Sequence, residues 1–118
     1  MYTFAHVELP VLDLRKASAF YGTLFPWKFQ PFFGDDYLMI MAPDGREIGG
    51  LTRVDDMPYI NGFWNYVEVE NIDRVLEQTQ NMGGKVVRPK SELPGDHGFY
   101  AVIQAPDGYN LGVWSKNA

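Results

Sequence analysis

The sequence predicts an α+β domain of two tandem βαβββ modules whose curved mixed sheets form a cleft. Three observations lead there. A strand followed by a Pro-Asp-Gly turn occurs twice, as Tyr37-Leu38-Met39-Ile40-Met41-Ala42-Pro43-Asp44-Gly45 and as Tyr100-Ala101-Val102-Ile103-Gln104-Ala105-Pro106-Asp107-Gly108. Tyr, Ile, Ala, Pro, Asp and Gly recur in it at an offset of 63 (100 − 37 and 108 − 45). In each half an alternating strand and a helix of the same kind precede that pattern. The chain has 118 residues, 46% of them hydrophobic, which suits one core-bearing domain rather than two independent ones.

The first module opens with His6-Val7-Glu8-Leu9-Pro10-Val11, an alternating strand. Asp13 is the N-cap of the helix that follows, its carboxylate accepting from free N–H groups of the first turn. Leu14, Ala17, Tyr21 and Leu24 lie on one helical face, and Pro26 stops the helix. A second strand is placed near Lys28 to Phe33, and the third leads through Pro43-Asp44-Gly45 into the fourth. The second module repeats this order. Trp64 to Val69 alternates, Asn71 caps, and Ile72, Val75, Leu76, Thr79 and Met82 form the helical face. Gly83-Gly84 ends that helix by accepting left-handed backbone, and the next strand runs near Lys85 to Arg88. The modules are thus expected at 1–51 and 63–118. A breaker-rich linker over 52–62, containing Asp55, Asp56, Pro58, Asn61 and Gly62, joins them. One sheet and one helix leave a face uncovered, so the halves are expected to pack as a single domain.

Charge narrows the partners. Ten Lys+Arg against 15 Asp+Glu give a net charge of −5, which disfavours nucleic acid and anionic membrane surfaces. No apolar run approaches a membrane span, and no leader-like segment opens the sequence. Without cysteine there is no disulfide, thiolate nucleophile or thiolate ligand, which fits a cytoplasmic protein.

Strand alternation assigns faces. Val7, Leu9 and Val11, with Asn65, Val67 and Val69, are expected to meet the helices, joined by Ile48, Leu111 and Val113. The opposite faces then carry His6, Glu8, Glu47, Gly49 and Leu51 in one module and Trp64, Tyr66, Glu68, Asn110, Gly112 and Trp114 in the other. Aromatic walls with a few polar groups suit a small-molecule cleft, while packing between modules or subunits is the competing account.

These features resemble the vicinal oxygen chelate superfamily of glyoxalases, bleomycin-resistance proteins and extradiol dioxygenases. The resemblance rests on paired βαβββ modules, the opening His-Val-Glu-Leu-Pro-Val with Asp13-Leu14, the helix with Phe20-Tyr21 and Leu24-Phe25, and the closing Ala-Pro-Asp-Gly-x-x-Leu-Gly-Val-Trp. More narrowly, the chain is similar to short bacterial proteins related to lactoylglutathione lyase. The resemblance implies a homodimer, and in metal-dependent members a divalent ion held by one residue from the first and last strand of each module. The matching positions here are His6, Gly49, Trp64 and Gly112, of which only His6 can ligate. The metal site is therefore expected to be degenerate, with no cofactor.

Three readings follow, of which the last is a subunit or accessory module whose cleft is vestigial. In the first, a metal-free cleft lined by His6, Glu8, Glu47, Trp64, Tyr66, Glu68, Phe99 and Trp114 binds a small organic molecule, with Trp64, Tyr66, Phe99 and Trp114 as an aromatic box. In the second, a lyase, isomerase or dioxygenase uses a divalent metal at a site rebuilt from His6 and nearby glutamates. His6 is the best candidate for catalysis, because imidazole exchanges protons near neutral pH. His97 lies in the turn-rich Leu93-Pro94-Gly95-Asp96-His97-Gly98 and is read as an exposed loop residue. Phe32, Phe33 and Tyr59 are read as exposed apolar residues near the linker.

Overall fold

The computed structural model describes residues 6–32, 34–57 and 65–118, and they form two compact units divided at Pro58/Tyr59. In the first unit β1 (Val7–Val11) leads to α1 (Leu14–Leu24), β2 (Lys28–Pro31), β3 (Tyr37–Met41) and β4 (Glu47–Arg53). In the second, β5 (Tyr66–Glu68) leads to α2 (Ile72–Asn81), β6 (Lys85–Glu92), β7 (Phe99–Gln104) and β8 (Asn110–Ser115). The sheets have equivalent orders, β1-β4-β3-β2 and β5-β8-β7-β6. In each, the first and last strands pair in parallel and the other pairs are antiparallel. Two mixed four-stranded sheets, each with one helix, make this the α+β fold expected from the sequence.

The local devices work as their residue types require. Asp13 caps α1 by accepting from Lys16 N at 2.9 Å, and Asn71 caps α2 by accepting from Arg74 N at 3.0 Å. Gly83, with φ +86°, ends α2 in the left-handed conformation, while α1 ends at Leu24 ahead of Pro26. Both Pro-Asp-Gly turns close identically: Gly45 N donates to Ala42 O and Gly108 N donates to Ala105 O, each at 2.9 Å.

Helix α1 packs on β4 and α2 packs on β6, β7 and β8. In the first unit Leu9, Val11, Ile40 and Leu51 are buried together with Phe20, Tyr21, Leu24 and Phe25 of the helical segment. In the second, Ala101, Ile103, Leu111 and Val113 are buried with Ile72, Val75 and Thr79. The Thr79 hydroxyl is accommodated there by donating to Val75 O at 2.7 Å. No helix among the described residues is long and apolar enough to cross a membrane.

Three boundaries differ from expectation. Thr52 and Arg53, read as linker, continue β4, because both pair with β1 through Pro10 and Val11. Strand β2 stops at Pro31 and β6 runs on to Glu92. A β-bulge also lies in β4. Ile40 pairs with Gly49 but Met41 pairs with Glu47, leaving Ile48 as the additional residue. An extra residue exchanges faces beyond it, so Gly49 and Leu51 lie on the helix side with Val7 and Leu9, not on the open face. Gly50 and Thr52 take the open side, which Glu47 keeps on the far side of the bulge.

Candidate functional site

The open face of the first sheet is a hydrogen-bonded polar cluster. His6 Nε2 lies 2.8 Å from Glu8 Oε2 and 2.9 Å from the Tyr37 hydroxyl, and Thr52 Oγ1 donates to Glu8 Oε1 at 2.7 Å. Strand geometry makes this possible: Glu8 sits opposite Gly50 on β4, and Tyr37 sits opposite Thr52. The glycine leaves the gap that the tyrosine occupies, since a Cβ built on Gly50 would run into the Tyr37 hydroxyl. Partial burial pushes the Glu8 carboxyl upward, but the hydrogen bonds from Thr52, Tyr37 and His6 outweigh it and hold Glu8 below the usual carboxylate range. Tyr37 is pushed up to about 12, by burial first and then by its hydrogen bond to Glu8 and the charges of Glu8 and Glu47. The cluster thus keeps an ionised carboxylate beside a neutral phenol.

The open face of the second sheet is aromatic and carries a cation. Tyr66 and Glu68 of β5 lie opposite Gly112 and Trp114 of β8, and Trp114 lies opposite Tyr100 of β7. The Tyr66 and Tyr100 rings meet edge to face, 6.3 Å between centroids and 65° between planes. Arg88 of β6 donates from an Nη to the Tyr100 hydroxyl at 2.9 Å and stands 5.8 Å from that ring's centroid. Gln104 donates to Asn110 Oδ1 at 3.0 Å farther along the same face. Trp114 Nε1 donates to His97 O at 2.8 Å, which fastens the Leu93–Gly98 loop to the sheet. That loop turns through left-handed Gly95, Asp96 and Gly98, and Leu93 N closes it on Gly98 O at 2.8 Å. His97 itself is exposed, as its loop composition suggests.

The sequence-predicted site residues therefore divide. His6 and Glu8 are brought together, and Glu47 shares their face and acts on Tyr37 through its charge. Tyr66, Glu68 and Trp114 share the second face. Phe99 does not: it pairs with Ser115 and, by alternation, lies with Ala101 and Ile103 on the side that α2 covers. Trp64, Phe33 and Tyr59 lie outside the described residues, and Phe32 is 62% exposed. Sequence reasoning missed Tyr37, Thr52, Arg88 and Tyr100. Both tyrosines open the repeated pattern at the offset of 63, and that signal points to a shared face.

The donor set can be tested against a divalent ion. Among the described residues no three His, Cys, Asp or Glu groups cluster. The position read as Gly49 turns toward the helix side, and the open-face residue opposite Glu8 is Gly50, again without a ligating atom. In the second sheet a Cβ on Gly112 would meet the Tyr66 ring. Each glycine therefore has a tyrosine ring in the space that a longer side chain would need.

Comparison with known proteins agrees with this architecture. The family model described as Glyoxalase/Bleomycin resistance protein/Dioxygenase superfamily matches residues 3–113. A glyoxylase-like domain-containing protein of Didymella fabae is 29% identical over 86 residues, 67% of this chain and 66% of that protein, just under two thirds of its length. A glyoxalase/bleomycin resistance protein/dioxygenase family enzyme from Burkholderia phytofirmans PsJN superposes with a TM-score of 0.75 at 14% identity, covering 97% of this chain and 98% of the other. The fosfomycin resistance protein FosX of Listeria monocytogenes gives 0.77 at 14% identity, with 98% and 93% covered. Glyoxalase I from Zea mays gives 0.70 at 21% identity, covering 95% of this chain and 45% of that enzyme.

Proposed function

The chain belongs to the Glyoxalase/Bleomycin resistance protein/Dioxygenase superfamily, and on that premise we propose that it binds a small organic molecule on the open faces of its sheets with a degenerate metal site. The observation that carries this reading is the Tyr37 side chain lying over Gly50 and the Tyr66 ring lying over Gly112. Catalytic zinc takes about three protein ligands and magnesium-like ions take several oxygens. The first face offers His6 and Glu8, whose facing atoms are already engaged with each other, with Tyr37 and with Thr52. What remains suits molecular recognition: an ionised Glu8 with hydroxyl neighbours on one face, and aromatic rings with a guanidinium on the other.

Two measurements test this. Protein purified without chelator is expected to carry only sub-stoichiometric metal, and titration with Mn²⁺, Ni²⁺ or Zn²⁺ should show no tight site. A stoichiometric ion lost in His6→Ala would overturn the metal-free reading. Thermal-shift screening with aromatic anions, cations and neutral compounds should yield stabilising ligands, since a compound at about 100 times its dissociation constant adds roughly 2.7 kcal/mol. Silence across all three classes would overturn the binding role.

A further inference from the structure

The second face holds a cation against which no carboxylate stands among the described residues. Arg46, Arg53 and Lys90 pair with Asp44, with Asp36 and Asp55, and with Asp73, whereas Arg88 is met by a phenol. A guanidinium offers five N–H donors in a planar fork, and the hydrogen bond to Tyr100 uses one of them. That bond and the ring beside it position the fork without neutralising it.

The surroundings specify what it would take. Tyr66, Gly112, Val102 and Arg88 form one row across the sheet, from β5 to β6. Three strand spacings put the row's end Cα atoms on the order of 14 Å apart. Between them Gly112 and Val102 are buried, Gly112 under the Tyr66 ring, and Tyr100 bridges Tyr66 to Arg88. Tyr66, 48% exposed, meets Tyr100 edge to face, and Tyr100 in turn holds Arg88. The row is therefore apolar and aromatic at one end and cationic at the other. Glu68 lies on the edge strand opposite Arg88, across Trp114 from Tyr100, and would repel an anion toward the Arg88 end.

We propose that Arg88, Tyr100 and Tyr66 form a subsite for a planar organic carboxylate, with the carboxylate on the Arg88 fork and an aromatic or conjugated body against Tyr66. The proposal rests on the metal-free binding role above and names the ligand class of one of its faces. Bidentate contact between guanidinium and carboxylate supplies direction as well as affinity, and Tyr66 supplies a flat apolar surface.

Nuclear magnetic resonance titration of the whole chain with benzoate, benzamide, benzamidine and cyclohexanecarboxylate tests it. Benzoate should shift the side-chain signals of Arg88, Tyr66 and Tyr100. Cyclohexanecarboxylate should bind more weakly, and benzamide and benzamidine should leave those signals unmoved. Arg88→Gln should weaken benzoate about tenfold or more, and Arg88→Lys should recover only part of the loss. Arg88 is an exposed position, so both variants should keep the parent melting temperature, which reports that they fold. Benzoate binding unchanged in Arg88→Gln, equal shifts with benzamidine, or no benzoate binding at millimolar concentration would each overturn the subsite. Should benzoate fail while other compounds stabilise the protein, the subsite falls and the binding role stands; should nothing bind, both fall.

Discussion

The first module's open face is acidic and hydrogen-bonded, while the second's is aromatic and cationic, yet the two sheets share strand order, helix caps and turns. Thr52 in the first module and Trp114 in the second hold equivalent places opposite a tyrosine, as do Glu8 and Tyr66 opposite a glycine. The difference teaches that this architecture fixes one side of each sheet and leaves the other free. Helix-side residues must be apolar and of the right volume, whereas open-face residues need only fit over a glycine. The two faces can consequently carry different chemistry on one scaffold.

The comparison holds in its conserved part only if the two cores respond alike. Leu51 and Leu111 are both fully buried on helix-facing sides, so Leu51→Ala and Leu111→Ala should each cost about 2–5 kcal/mol in denaturant unfolding. A small loss at one site alone would break the equivalence. The next effect should be asymmetric. A Cβ at Gly50 would strike the Tyr37 ring, which is tied to His6 and Glu8, whereas a Cβ at the equivalent Gly112 would strike the partly exposed Tyr66 ring, which can swing. Gly50→Ala should therefore destabilise by about 1–3 kcal/mol and Gly112→Ala by less. The caps should again behave alike, with Asp13→Ala and Asn71→Ala each costing about 1 kcal/mol by thermal or chemical melts.

The smallest effects come from pH and act through Glu8 and Tyr37 of the first face. A carboxylate depressed in the folded state adds stability above its unfolded value, and that stability is lost as pH falls through the folded value. Glu8 should thus stabilise the protein above about pH 4.5 by less than about 1 kcal/mol, because it is half exposed, and Glu8→Gln should flatten the acid limb of the stability curve. Tyr37 works at the other end. Between about pH 10, where the unfolded phenol ionises, and about 12, where the folded one does, the unfolded chain binds fewer protons, so stability falls as pH rises. Tyr37→Phe should remove that decline, read by ultraviolet titration alongside melts.

Much of this was readable in the amino-acid order. Asp13, Asn71, Gly83 and the two Pro-Asp-Gly turns act on backbone within a few residues of themselves, so their positions suffice to place both helices and hairpins. Faces were harder. Glu47 to Leu51 alternates without a visible break, and nothing local marks Ile48 as an added residue, because the bulge follows from pairing with β3. Its trace is that the offset between equivalent residues drops from 63 at Gly45 and Gly108 to 62 at Gly50 and Gly112. Arg88 was hidden for a similar reason, since β6 shifts register on both sides of it and carries Pro89. Phe99 is hard to place on a face because an aromatic residue at a strand's first position looks the same on either side.

The stacking of a tyrosine over each open-face glycine also makes the present donor set hard to reverse. A single base change can turn a glycine codon into one for glutamate, but the new side chain would arrive where a ring already lies. At Gly50 that ring is tied to His6 and Glu8, so clearing it would dismantle the very groups a new carboxylate would need beside it. Gaining a ligand thus takes at least two coordinated substitutions, with a strained intermediate between them. The arrangement behaves as a ratchet on how the molecule can evolve.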